Sequence, residues 1–192
     1  SQWNVSNVTD MSYMFVRASS FNISSLNSWD VSNVTTMYFM FFGASSFNAD
    51  ISEWNVSNVI NMRAMFGKTP FDQDISTKTV TVDGQTYTAW NVSNVRDMAS
   101  MFVDASSFNA DIRSWDVGSV GLSIVVGATT MVGRLQNMFN GASSFNWDIR
   151  GWDVSNVYSG YFTNMFKDAT LMNSNYDAPD TPAPGTNWFN NY

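Results

Sequence analysis

The chain has 192 residues, a net charge of −7, only 13% charged residues, and neither cysteine nor histidine. The acidic balance excludes the basic footprint that nucleic acid or an anionic lipid surface requires. Without Cys or His there is no disulfide framework, no cysteine metal site, and neither the commonest general base nor the commonest metal ligand.

The organising stretch is Trp29 to Ser52, WDVSNVTTMYFMFFGASSFNADIS. Close copies start near Trp54, Trp90 and Trp115, and partial ones near Trp3 and Trp152. The Trp spacings are 26, 25, 36, 25 and 37, a unit of about 25 residues with two long members. Val follows each Trp at the second and fifth places, as at Val31 and Val34, in all six copies. Trp-x-Val-x-Asn alternates, which predicts an extended segment with Trp, Val and Asn on one inward side. Copies of that segment are expected to pair as a parallel sheet, about 4.8 Å per rung, with Asn7 and Asn33 in an interior Asn ladder.

Next comes Val-x-x-Met-x-x-Met-Phe, as in Val34, Met37, Met40 and Phe41. Its spacing predicts a short helical or 3₁₀ segment with one apolar face. A small-residue turn, a Phe (Phe21, Phe47, Phe71, Phe108, Phe145) and Asp-Ile lead to the next Trp. The Met and aromatic columns read as core packing rather than a cofactor site. The expected fold is an α/β repeat solenoid, leucine-rich-repeat-like, with about six rungs over residues 1–175. It has a parallel β-sheet on one wall and short helical or 3₁₀ segments on the other.

The repeat closely resembles the BspA-like leucine-rich-repeat surface proteins. The matching branch reads W-D-V-S-N-V-T-x-M-x-x-M-F-x-x-A-x-x-F-N-x-D-I. The resemblance covers about residues 1–175 and departs in two insertions and the tail. It implies display at or outside a cell surface, adhesion or scaffolding, and no conserved catalytic residues.

In chain order, the first insertion spans about 77–89, where alternating residues flank Asp83-Gly84, a two-residue hairpin signal. The second, about 121–134, reads as an apolar hairpin. Contact with a partner and neutral drift are equally compatible with both. The sixth copy is degenerate after Val157. Residues 176–192 form a Pro-rich, extended tail. In it TNWFNNY is either the strand of an unfinished seventh rung or part of a plain linker. The chain opens at Ser1 without a signal-peptide pattern and is expected to be mature or excised from something longer. Neither end shows an obvious cap, so an array fragment or stacking on other copies is expected.

Candidate sites follow from the columns. Asp50, Asp74, Asp111 and Asp148 occupy equivalent places; Ca²⁺ coordination is weighed against capping of their own turns, which is preferred. Asn4, Asn22, Asn55 and Asn91 are glycosylation candidates. Trp3, Val5, Trp188, Phe189 and Tyr192 are candidates for self-association at open ends. No cofactor, no nucleic-acid partner and no transmembrane segment is expected. The leading functional expectation is a non-enzymatic, extracellular or cell-surface structural or adhesive protein, assembling head-to-tail into a filament or surface layer. Its partners are copies of itself, or a host or cell-surface protein or glycan. The alternative is a monomeric cell-surface adhesion or glycan-binding module.

Overall fold

The computed structural model describes residues 3–126, 129–180 and 186–189. The segment after each Trp does not extend into a strand. Val8 N–H donates to Val5 O at 2.8 Å, and the same turn closes at Val34, Val59, Val95, Val120 and Val157. The polar pair between the two Val residues therefore sits at the corner of a β-turn, with both valines directed into the core from copy two onward.

The Met-Phe segment is not helical either. Met11, Tyr13, Phe15 and Arg17 donate to Thr36, Tyr38, Met40 and Phe42 of the next copy at 2.7–3.0 Å. Between them, Met14, Val16 and Ala18 donate three residues back, at 3.1–3.3 Å. Alternate amides thus bond sideways, as in a strand, while the others close tight turns. The backbone accommodates this by entering the left-handed region at fixed places. Tyr13, Phe39, Ala64, Ser100, Asn137 and Asn164 lie at φ 54–62°. Arg17, Gly43, Lys68, Asp104, Gly141 and Asp168 lie at φ 54–74°. A left-handed L-residue costs about 1–2 kcal/mol and cannot continue an α-helix.

The expected α/β leucine-rich-repeat-like solenoid is therefore overturned. Among the described residues, parallel pairing is confined to isolated bridges joining Asp10, Thr36, Asn61 and Asp97. The regular strands belong to two antiparallel hairpins, β1 (Lys78–Val82) with β2 (Gln85–Ala89) and β3 (Ser123–Val126) with β4 (Thr129–Val132). Among the described residues, regular helix is limited to α1 (Thr170–Tyr176), α2 (Thr186–Phe189) and 3₁₀ turns at Ser24–Ser28 and Ser159–Phe162. Sequence spacing misled because Met-x-x-Met-Phe serves consecutive turns as well as it serves a helix.

The core is a file of rings. Phe15, Phe41, Phe66, Phe102, Phe139 and Phe166 stack from copy to copy with centroids 5.7–6.0 Å apart. Within a copy, Phe41 lies 3.8 Å from Phe47 and Phe102 lies 3.7 Å from Phe108. Each fully buried Phe contributes about 2–3 kcal/mol relative to exposure. The Trp indoles tie neighbouring copies. Trp54 Nε1 donates to Leu26 O, Trp90 to Ile51 O, Trp115 to Ile75 O and Trp152 to Ile112 O.

The Asn expected inside is at the exposed edge instead. Asn33, Asn58, Asn94 and Asn156 each donate Nδ2 to a carbonyl of the preceding copy at 2.7–2.8 Å. A different side-chain ladder follows the Phe column. Asn22 Oδ1 accepts Asn48 N–H, Asn48 Oδ1 accepts Asp72 N–H, Asp72 Oδ1 accepts Asn109 N–H, and Asn109 Oδ1 accepts Asn146 N–H.

The last copy is covered by the tail, contrary to the expectation of an uncapped end. Met172 of α1 is buried, Trp188 packs 5.0 Å from Phe166, and Phe189 packs 5.5 Å from Phe162. Trp188 thus belongs to a helical turn, not to a seventh strand. The carboxylate of Asp180 accepts Asp168 N–H at 2.7 Å, ending the bond column that runs through Arg17, Gly43 and Lys68.

Candidate functional site: the groove beneath the first hairpin

The first insertion is built to fold back. Asp83 and Gly84 take φ 49° and 79°, the double positive turn that matches the twist of a hairpin. The register pairs Val80 with Tyr87, and both pack against the core. Tyr87 Oη donates to Glu53 O at 2.6 Å, pinning the hairpin over the second and third copies. Glu53 is itself held by Asn27, which donates Nδ2 to Glu53 Oε2 and accepts Glu53 N–H.

The hairpin and the Trp29 segment enclose a groove of about 330 Å³. Trp29 and Tyr87 provide aromatic surface; Asp30, Asn55, Asp83 and Gln85 provide polar groups. Trp29 is half-buried, and its indole N–H finds no acceptor among the described residues, unlike those of Trp54, Trp90, Trp115 and Trp152. Asp30 uses Oδ1 to hold Ser32 N–H. Asn55 uses Oδ1 to hold Ser57 N–H and Oγ, leaving its amide nitrogen uncommitted. Among the described residues, no Lys or Arg lines the groove. Burial, then the charges of Glu53, Asp30 and Asp83, raise the Tyr87 phenol above its ordinary value.

The sequence-derived candidates fall elsewhere, with one exception. Asp50, Asp74, Asp111 and Asp148 each cap their own turn, accepting the N–H two residues on. Asp74 also pairs with Lys78, Asp111 with Arg113 and Asp148 with Arg150. The Arg113 guanidinium holds the Asp111 carboxyl below the usual carboxylate range. Among the described residues, no group of three or more Asp or Glu is placed to hold a metal ion. Asn4 and Asn22 are exposed, and Asn55 and Asn91 are half-buried. Of these four, Asn55 lines the groove.

Trp3 is 57% exposed and stacks on Trp29 at 6.0 Å, whereas Val5 is buried. Trp188 and Phe189 pack within the chain, and Tyr192 lies outside the described residues. Sequence reasoning missed the groove because Trp29 stands in a column that reads as core. It also missed the ladder after the Phe column, although the recurring Phe-Asn dipeptide carried that signal.

No helix among the described residues is long and apolar enough to cross a membrane. One family model, described as "Mycoplasma protein of unknown function, DUF285", matches residues 1–85 and 78–188. No curated protein and no solved structure matches the chain.

Proposed function

The chain belongs to the DUF285 family of Mycoplasma proteins of unknown function, and from that premise we propose that it is a non-enzymatic adhesive module of the BspA-like repeat kind, acting at or outside a cell surface. The observation that carries this reading is the groove beneath the first hairpin. There, the polar side chains of Asp30, Asn55, Asp83 and Gln85 and the half-buried rings of Trp29 and Tyr87 line one groove on a frame of copy-to-copy bonds. Loops carried by a rigid scaffold are where binding residues concentrate.

Between the two sequence-based readings, the tail favours the adhesion module over the head-to-tail filament. A heterologous stack needs the face of the last copy open. α1 and α2 cover that face with Met172, Trp188 and Phe189.

Beads coated with the full chain are expected to be retained on cell monolayers severalfold better than albumin-coated beads. A chain with residues 79–88 replaced by a short Gly-Ser link is expected to lose that retention while keeping one cooperative unfolding transition, at a lower temperature for want of the Val80 and Tyr87 contacts. Retention no better than albumin sinks the adhesive reading.

A further inference from the structure

We propose that the groove between the first hairpin and the Trp29 segment binds a neutral oligosaccharide; this rests on the adhesive reading and names its ligand class. Three observations lead there. The first is size: about 330 Å³ is at the lower end of small-molecule sites and suits one or two sugar rings. The second is the aromatic surface. Sugars present flat C–H faces that pack on aromatic rings, and two aromatic side chains, Trp29 and Tyr87, line this groove.

The third is the mixture of uncommitted polar groups. Each sugar hydroxyl both donates and accepts. The groove offers a donor in Asn55 Nδ2, acceptors in the carboxylates of Asp30 and Asp83, and both in the Gln85 amide. Asp83 and Gln85 sit on the hairpin turn, and Asp30 and Asn55 on successive copies of the scaffold, so the polar groups face the ligand from both sides.

Charge decides which sugars. With carboxylates and no Lys or Arg in the lining, acidic and sulfated sugars are repelled. A cationic side chain answers the carboxylates but leaves the amide donors facing a like-signed group. A polyol satisfies both kinds of group at once.

The test is equilibrium binding to the full chain, read by calorimetry. The probes are neutral gluco-, chito-, manno- and galacto-oligosaccharides, a sialylated oligosaccharide and tetralysine, each up to millimolar concentration. At least one neutral probe is expected to saturate, with affinity unchanged by added salt. Trp29→Phe leaves a smaller aromatic face in the groove lining, and is expected to weaken that binding about fivefold. Gln85→Ala, on the exposed hairpin, is expected to weaken it by a similar factor without moving the thermal midpoint.

Failure of every neutral probe to bind overturns the proposal. So does salt-sensitive binding of tetralysine alone, or neutral binding that neither substitution alters. Bead retention that persists in the face of such a result would leave the adhesive reading standing and remove only the sugar.

Discussion

The first hairpin leaves the stack between Ile75 and Trp90, and the second between Val120 and Leu135. The first exit lies at a corner where few copy-to-copy amide bonds run. The chain returns with Trp90 N–H on Trp54 O and Thr77 Oγ1 donating to Trp90 O. The second exit lies where the sideways bond columns begin, and there the chain must pass close to its neighbours. Gly121 has φ +99°, and a Cβ on it would fall 2.0 Å from Asn156 O. A Cβ on Gly133 would fall 1.6 Å from Arg96 O. At Gly84, on the turn of the first hairpin, a Cβ would meet nothing within 4 Å. An insertion at a corner is thus free to vary in sequence, whereas one through the bond columns demands residues without side chains.

The sharpest way to break that comparison is Gly133→Ala. The clash is with backbone, which no rotamer change relieves, so a loss of at least about 3 kcal/mol is expected in urea unfolding. Gly84→Ala is expected to cost about 1 kcal/mol, the strain of a left-handed L-residue alone. Equal losses at the two sites would mean that the exits are equivalent after all.

The smallest expected effect concerns Asp97, beside the second exit. It is buried and accepts Ala99 N–H, and Asn61 makes the equivalent bond to Arg63 N–H one copy earlier. Burial raises the Asp97 carboxyl above its ordinary range, against the pull of Arg63 and Arg134. A raised folded-state value means that its stabilising contribution is complete at acid pH and is lost as pH rises through that value. Asp97→Asn keeps the cap and removes the titration. The variant is expected to equal or exceed the parent in stability at neutral pH, with a flatter profile above the carboxylate range. A thermal midpoint that drops on substitution at pH 7 would show the charge to be needed.

These exits also show where the sequence was readable. The Val, Met and Phe columns from Val31 to Phe166 are the ones that pack, because burial depends on side-chain type, which the letters show directly. The path of the backbone between them was not readable. Left-handed positions usually announce themselves as glycine. Here Tyr13, Phe39, Lys68 and Asp104 take them, strained but held by sideways bonds that exist only once the next copy is in place. The hairpin at Asp83-Gly84 was legible because its signal is local. The groove beneath it was not, since Trp29 differs from Trp54 only in what the preceding turn offers its indole.

The sideways amide bonds have an electrical consequence. In four columns every N–H points toward the following copy and every accepting carbonyl toward the preceding one. A single column, from Thr35 to Thr9, Ile60 to Thr35 and Arg96 to Ile60, runs the other way. Peptide dipoles aligned in this manner add, as they do along a helix. The molecule therefore carries a long-axis polarity, negative toward Met11 and positive toward Lys167. Asp180, whose carboxylate receives the last N–H of one column, sits at the positive pole, where a negative charge is favourably placed.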